Sequence, residues 1–203
     1  IAPLPDIVRI AHKYKAMVMV DEAHGTGVFG KSGRGVVEHF GLSKKVSIIM
    51  GTLSKAVGSL GGYVSGDADL INFLRNKARP FMYTTALPPA VCAASIAGIK
   101  LIRKDPSLRK SLWNNVRYLK VKLELLNLNV IPSESPIIPI LIGDAKKAVA
   151  VSKFLYKKGI LIPAIRPPTV PAKSSRLRMT VMSTHTRKNL EKLLKVLSDV
   201  QDL

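Results

Sequence analysis

The sequence is poor in cysteine, in aromatic residues and in acidic residues. One cysteine in 203 residues excludes a disulfide within the chain and suits a reducing, cytoplasmic compartment. We expect this residue, Cys92, to be a small side chain of the core. An uninterrupted apolar run of about 18 residues is also missing, so a membrane-spanning helix is not expected. With 47% hydrophobic residues the chain can nevertheless bury a globular core.

The shortage of acidic residues leaves a formal net charge of +19 at pH 7. Such a balance raises nucleic acid, anionic membranes and acidic substrates as partners. The basic residues are spread along the chain at helix-compatible spacing, and few aromatic residues lie between them. We therefore interpret most of them as solvated helix faces, with attraction of an anionic ligand as the alternative, and expect neither a nucleic acid nor a membrane as partner. The alternative, a basic nucleic-acid binder, predicts tight binding that weakens steeply with salt.

Residues 1–106 predict part of a large α/β domain. Apolar residues recur at helical spacing in some segments and form short runs typical of buried strands in others. The chain opens without an initiator Met, and we expect this domain to be truncated, with its N-terminal portion missing. The predicted elements are a helix over 4–15, strands over 17–20, 46–50 and 60–65, and helices over 67–79 and about 90–104.

Residues 107–203 predict a complete small domain of the α+β class. Helical and extended patterns alternate there, after a break at Asp105-Pro106. The predicted elements are a helix over 107–126, a strand over 137–142, a helix over 145–158, strands over 160–165 and 176–182, and a helix over 187–203.

Two of the predicted strands end in residues that can form a reactive site. Lys55 follows the strand over 46–50, whereas Asp21 and His24 follow the strand over 17–20. In open α/β sheets, ligands collect beyond the carboxyl ends of the strands. A lysine partly buried there has its charged form disfavoured and can condense with an aldehyde. The alternative for Lys55 is a surface lysine in a turn.

Asp21 and His24 each have a structural alternative as well. A carboxylate after an apolar strand is costly to bury without a cation, so Asp21 needs a positive partner or serves as a turn cap. The protonated pyridine nitrogen of pyridoxal phosphate would be such a partner. His24 can reach the same crevice, although a lone histidine is more often structural. The glycine-rich loop over 25–35 is expected near a ligand or a partner subunit.

Several hydroxyl groups lie beside the predicted turns and can bind a phosphate through charge-assisted hydrogen bonds. Each is weak evidence when taken alone. They belong to Thr52, Ser54, Thr84 and Thr85.

Two arginines in the second domain are candidates for binding a carboxylate. Arg176 and Arg178 lie on one predicted strand and point to the same face, where either offers a planar fork. The alternative is a surface edge strand with solvated arginines. A proline-fixed loop over 164–171 precedes them, and the role of His185, which follows, stays open.

Three motifs together resemble those of the α-oxoamine synthases, pyridoxal-phosphate enzymes of fold type I. The motifs occur in the family's order, and the likeness runs from the first residue to the last. Members of the family are much longer, so the resemblance implies a truncated large domain with a mixed sheet, followed by the small domain. The motifs are Asp21-Glu22-Ala23-His24-Gly25-Thr26-Gly27, Thr52-Leu53-Ser54-Lys55 and Arg176-Leu177-Arg178.

The resemblance implies pyridoxal 5'-phosphate as cofactor and gives four residues a role around it. Lys55 would bond covalently to the cofactor, and Asp21 would pair with the pyridine nitrogen. His24 would contact the phenolic oxygen, and Thr52 would bind the phosphate. Lys55, His24 and Asp21 would thus be the catalytic residues, with no metal.

The resemblance also implies a homodimer and contacts to substrate. Thr84 and Thr85 would reach the phosphate of the cofactor in the neighbouring subunit. Thr169 would contact the substrate, and Arg178 would hold the carboxylate of the amino acid.

Within the family, the loop over 164–171 is most similar to that of the branch serving biotin synthesis. This branch implies an acyltransferase that condenses L-alanine with a pimeloyl thioester, carried by coenzyme A or by a carrier protein, with loss of carbon dioxide. Another α-oxoamine synthase, such as 2-amino-3-ketobutyrate CoA ligase, is the alternative within the enzyme class. A non-catalytic fragment that binds cofactor or dimerises is the alternative outside it.

Overall fold

The computed structural model describes residues 1–199 and divides into two compact units. The N-terminal unit comprises Ala2–Arg109, and the C-terminal unit comprises Lys110 onward together with Ile1. The domain boundary expected after residue 106 lies just before this division and stays a prediction. Each unit is described by itself below.

The N-terminal unit contains a mixed three-stranded sheet in the order β1-β2-β3. Strands β1 and β2 are parallel, with Met19 opposite Ile48 and Asp21 opposite Met50, whereas β2 and β3 are antiparallel. The elements are α1 (Leu4–Lys13), β1 (Met19–Asp21), α2 (Val36–His39), β2 (Ile48–Thr52), β3 (Gly62–Ser65), α3 (Ala68–Lys77), α4 (Arg79–Met82) and α5 (Pro89–Lys104).

The core of the N-terminal unit is small and lies where α1 and α2 pack beside the start of the sheet. Its buried residues come from the apolar face of α1, from α2 and from the residues leading into the strands. They are Leu4, Val8, Val18, Val37, Leu42 and Val46. Few apolar side chains are buried elsewhere: α3 and α4 bury none, and α5 buries only Ser95.

The C-terminal unit contains an antiparallel sheet in the order β4-β6-β5, covered by helices. Alternate residues of the central strand β6 are buried, among them Leu177 and Met179, which is the period of two expected of a sheet with one covered face. The elements are α6 (Ser107–Glu124), whose first three residues belong to the N-terminal unit, followed by β4 (Ile137–Gly143), α7 (Ala145–Lys157), β5 (Ala164–Ile165), β6 (Ser175–Thr180) and α8 (Arg187–Ser198).

Side-chain caps fix where three of the helices begin. Asp67 accepts a hydrogen bond from the Leu70 amide at the start of α3, and Asp144 accepts one from the Lys147 amide at the start of α7. Thr186 opens α8 in a reciprocal capping box. Each cap satisfies an amide that would otherwise lack a helical partner.

The observed elements differ from the predicted ones mainly where they are short or exposed. The strand expected over 160–165 is only Ala164–Ile165, because Pro163 has no amide to continue the ladder. Helices α2 and α4 were not predicted, since four residues are too few to show a helical period. The helix expected over 187–203 ends at Ser198, and residues 200–203 lie outside the described part of the chain.

Two expectations about burial were wrong. Cys92 is exposed rather than part of the core. Strand β1 exposes two of its three residues, and β2 is mostly half-buried, so neither is a fully buried strand. Within residues 1–199, none of the helices is both long enough and apolar enough to cross a membrane.

Candidate active site

The predicted site residues follow two strands that end at the same edge of one sheet. Because β1 and β2 are adjacent and parallel, their carboxyl ends point the same way. The pairing continues one residue past β1, where the Glu22 amide donates to the Met50 carbonyl at 2.7 Å. The turn that carries Asp21 and His24 and the loop that carries Lys55 therefore both start at this edge.

Asp21 is exposed at the end of β1, so the burial cost expected for its carboxylate does not arise. Its Oδ1 accepts a hydrogen bond from the Ala23 amide at 2.8 Å, which is the turn cap considered from the sequence. This contact fixes the carboxylate at the sheet edge, where a cationic group of a ligand can reach it.

Glu22, the next residue, is the buried acid of this region and was missed by the sequence analysis. Its side chain is 1% exposed, and its two oxygens accept the amides of Val36 at 2.9 Å and Val37 at 2.7 Å. A Cβ at Gly25 or Gly35 would lie 1.8 or 2.3 Å from this carboxyl group. An acid followed by glycines that leave it room was the signal available in the sequence.

His24 is exposed, and the turn that carries it is tied to the sheet two residues later. The hydroxyl of Thr26 lies 2.8 Å from that of Tyr63 on β3. Tyr63 reaches it by crossing Gly51 of β2, where a Cβ would lie 2.6 Å from the phenol oxygen. Because position 51 is a glycine, Tyr63 of β3 can cross β2 and contact Thr26 in the turn after β1.

Lys55 is exposed on the loop between β2 and β3, which corrects the expectation of partial burial. Backbone hydrogen bonds close the base of this loop from Leu53 to Gly61 at 2.8 Å and from Ser59 to Leu53 at 2.7 Å. The Gly58 amide donates to the Lys55 carbonyl at 3.0 Å, so Lys55 opens a tight turn. The amine therefore stands at the tip of an ordered loop.

The hydroxyl of Thr52 lies at the start of the same loop. It is 2.7 Å from the Ser54 hydroxyl and donates to the Gly61 carbonyl at 3.1 Å, while the Ser54 amide donates to it at 3.2 Å. Thr52 is half-buried and Ser54 exposed, so a phosphate approaching the loop meets a pair of adjacent hydroxyls.

Thr84 and Thr85 lie in the segment between α4 and α5, which is exposed throughout. Their neighbours include the large apolar side chains of Phe81, Tyr83 and Leu87, exposed by 63%, 77% and 41%. Nothing within the N-terminal unit covers these hydroxyls.

The glycine-rich loop over 25–35 is closed by contacts within the unit, and its expected proximity to a ligand or a partner subunit stays a prediction. Arg109 is buried and donates to the carbonyls of Ile102 at 2.5 Å and Lys31 at 2.9 Å, so it is not one of the solvated basic residues. Glu38 accepts hydrogen bonds from Ser32 and from the Arg34 amide. Burial would raise the pKa of Glu38, but these hydrogen bonds outweigh it and lower the pKa.

In the C-terminal unit, Arg176 and Arg178 share the half-buried face of β6, as predicted. Because β6 lies between β4 and β5, the alternative of an edge strand was wrong. Arg178 lines a cavity of about 540 Å³ together with Thr180, His185 and Lys192. Thr169 is exposed in the loop before β6, in a turn closed by its amide and the Arg166 carbonyl at 3.1 Å.

The donor groups of the N-terminal unit fit the chemistry of pyridoxal phosphate. A carboxylate at the end of β1 suits a protonated ring nitrogen, an amine at the tip of the next loop suits an aldehyde, and paired hydroxyls suit a phosphate. All three lie at or just beyond the carboxyl ends of β1 and β2, where α/β proteins bind ligands.

Comparison with known proteins supports the resemblance. The family model "Aminotransferase class I and II" matches residues 1–197. The chain is 48% identical over 197 residues to 8-amino-7-oxononanoate synthase 1 of Bacillus velezensis, and 50% identical over 201 residues to a putative 8-amino-7-oxononanoate synthase of Nostoc punctiforme. These matches cover 97% and 98% of the chain. The chain spans about half the length of these curated relatives, 50% in both cases.

Solved structures give the same result for the fold. A serine palmitoyltransferase of Sphingomonas wittichii superposes with a TM-score of 0.95 at 34% identity, covering 100% of this chain and 51% of that one. An 8-amino-7-oxononanoate synthase of Francisella tularensis gives 0.82 at 28% identity, with 96% and 58% covered. The predicted fold class, the transferase fold of type I with a mixed sheet, is confirmed. The chain therefore belongs to the class I and II aminotransferase family.

Proposed function

We propose that the protein is a pyridoxal-phosphate acyltransferase that condenses L-alanine with a pimeloyl thioester and releases carbon dioxide, giving 8-amino-7-oxononanoate for biotin synthesis. The observation that carries the proposal is the departure of the Asp21 turn and the Lys55 loop from one sheet edge. The names of the relatives at 48% and 50% identity support the choice of reaction.

The cofactor would be held by the loops at the carboxyl ends of β1 and β2. Asp21 would pair with the ring nitrogen, His24 would contact the phenolic oxygen, and Thr52 would bind the phosphate. Lys55 would hold the cofactor covalently through its amine. When bound, the cofactor supplies an electron sink for the bond-breaking at the amino acid.

Lys55 and two residues of the C-terminal unit would act on the substrates. The Lys55 amine, once displaced by alanine, would take the proton from the alanine α-carbon. Arg178 would bind the alanine carboxylate with its planar fork, and Thr169 would contact the acyl substrate. The thioester carrier would be coenzyme A or an acyl carrier protein.

We also propose a homodimer, located in the cytoplasm. Thr84 and Thr85 would reach the cofactor phosphate of the partner subunit, as the family resemblance implies. The exposed apolar side chains that flank them, those of Phe81, Tyr83 and Leu87, support an interface with a second copy at this segment.

The decisive experiment maps where the cofactor attaches in the full-length protein. Pyridoxal phosphate is added, the attachment is fixed with borohydride, and the modified peptide is identified by mass spectrometry. We expect attachment at Lys55, and we expect Lys55→Ala to abolish it and to lower product formation at least ~100-fold. Lys44→Ala, an exposed lysine just before β2, is the matched control and should change neither.

Attachment at a different lysine, or unchanged turnover in Lys55→Ala, would refute the assignment. Attachment at Lys55 without any turnover would favour the alternative of a non-catalytic protein that binds the cofactor. A panel of amino acids and thioesters then separates the proposed reaction from that of another α-oxoamine synthase such as 2-amino-3-ketobutyrate CoA ligase. Preference for L-alanine with pimeloyl thioester is the expected result.

A further inference from the structure

Helix α5 buries a polar residue instead of an apolar one. Its sequence is rich in alanine and isoleucine, yet Ile96, Ile99 and Leu101 are 49–53% exposed, whereas Ser95 is 6% exposed. A buried hydroxyl needs a hydrogen-bond partner to offset its desolvation. The partner of Ser95 lies in the loop that carries Lys55.

Ser95 joins α5 to that loop through a second serine. The Ser95 hydroxyl donates to the Ser59 hydroxyl at 2.9 Å and also lies 2.8 Å from the Val91 carbonyl. The Ser59 hydroxyl in turn donates to the Val91 carbonyl at 3.0 Å. One turn of α5 thus supplies both a donor and an acceptor to Ser59, four residues after Lys55.

Gly98 lets the backbone of the same loop approach the helix. A Cβ at position 98 would lie 2.5 Å from the Val57 carbonyl oxygen. Because this oxygen is a backbone atom, it cannot move aside as the end of a flexible side chain could. Val57 is 7% exposed, so the loop is in close contact at this point. Residues 95 and 98 are three apart and therefore share one helix face.

Neither residue benefits the helix itself. Serine and glycine are both poorer helix formers than alanine in a helix interior, and Gly98 and Ser95 both lie in the middle of α5. These two residues instead stabilise the loop, which is closed at its base between Leu53 and Gly61 and contacts α5 at Val57 and Ser59.

We propose that Ser95 and Gly98 are positioning residues for Lys55: they form a seat on α5 that fixes the loop from which the lysine side chain extends. The proposal rests on the function proposed for Lys55. It gives α5 a task in the reaction although none of the residues assigned above to the cofactor or the substrate lies on this helix.

The test uses Gly98→Ala and Ser95→Ala in the full chain, with Ile96→Ala and Cys92→Ala as controls on the same helix. Hydrogen–deuterium exchange is measured for peptides covering residues 53–61 in the absence of cofactor. We expect exchange of the Ser59 and Gly58 amides to accelerate roughly tenfold in both seat variants, because local opening becomes easier. Amides of α5 should stay protected, since alanine favours the helix, and the controls should match the unmodified chain.

A second measurement links the seat to Lys55. The rate of covalent attachment of pyridoxal phosphate at Lys55, fixed with borohydride at a series of pH values, should fall in the seat variants, with the pH profile shifted, and stay constant in the controls. A purely structural role of the seat would leave the attachment rate and its pH profile unchanged.

The outcomes separate this proposal from the one on which it rests. Unchanged exchange over residues 53–61 in both seat variants overturns the seat, as does accelerated exchange with unchanged attachment. If the unmodified chain itself attaches no cofactor at Lys55, the proposed function fails and the positioning role fails with it, while the exchange data alone still decide whether the loop is held by α5.

Discussion

The two units of the chain bury their apolar residues very differently. In the C-terminal unit, α6, α7 and α8 together with β4 and β6 all contribute fully buried side chains, and few large apolar residues are exposed. In the N-terminal unit the buried cluster is confined to α1, α2 and the entrance of the sheet. Most of the exposed large hydrophobic residues of the described chain belong to this unit.

The difference shows that different interactions stabilise the interior of each unit. Burial of apolar area accounts for the C-terminal unit, at about 25 cal/mol per Å². The loops of the N-terminal unit depend instead on buried polar groups: Glu22 and Arg109 bind backbone atoms, and Ser95 binds the Ser59 hydroxyl.

The largest effect is expected from a cavity in the C-terminal core. Leu177 on β6 is fully buried, so Leu177→Ala should lower the free energy of unfolding by about 2–5 kcal/mol. Phe73→Ala removes a larger side chain from α3, but this one is 62% exposed, and the change should stay within about 0.5 kcal/mol. Denaturant unfolding of the chain measures both. An equal loss for Phe73→Ala would mean that another surface covers α3.

A smaller effect is expected from the adjacent acids Asp21 and Glu22. Glu22 accepts hydrogen bonds from two backbone amides, and Glu22→Gln places an amide donor opposite one of them. The substitution should lower the free energy of unfolding by about 1.5–3 kcal/mol. Asp21→Asn is the matched control: its side chain is exposed, so stability should change by less than about 0.5 kcal/mol.

The same two substitutions separate an effect on stability from an effect on cofactor binding. Under the proposed function, Asp21→Asn should weaken binding of pyridoxal phosphate, because a neutral amide does not keep the ring nitrogen protonated. Thermal unfolding and cofactor titration of both variants give the comparison. If Glu22→Gln were stable and Asp21→Asn unstable, Asp21 rather than Glu22 would be the acid that stabilises the fold.

The smallest effect is a pH dependence in the C-terminal unit. Burial lowers the pKa of His185 below its ordinary value of about 6.5. The folded chain therefore binds this proton less tightly than the unfolded chain, so stability is highest above pH ~6.5 and falls as the pH drops toward the folded pKa. Protonation would also remove the acceptor for the Met182 amide, now 3.2 Å from Nδ1.

Urea unfolding at several pH values from about 7.5 to 5 tests this dependence. His185→Gln should flatten the curve between these limits relative to the unmodified chain, and His12→Gln, a histidine at the end of α1 in the other unit, serves as control. Parallel curves for the unmodified chain and His185→Gln would contradict the expectation.

Much of this architecture follows from local patterns. The long helices agree with the sequence analysis, and the strands Met19–Asp21 and Ile48–Thr52 overlap the predicted strands but begin two residues later. Periodicity acts over a few residues, so it predicts that an element exists better than it predicts the bounds of the element. Burial was less predictable. The exposure of Lys55, Asp21 and Cys92 depends on which surfaces come to lie against them, and short-range spacing does not contain that information.

Local sequence patterns are enough to predict the order of the elements, the residue types of the candidate site and their family motifs. The folded chain is needed to show which acid of Asp21-Glu22 is buried, that β1 and β2 pair in parallel, and that α5 holds the Lys55 loop through Ser95 and Gly98. The difference arises because these contacts join residues that are far apart along the chain. Propensity and capping are local, whereas a buried hydroxyl or carboxylate is satisfied by partners many residues away.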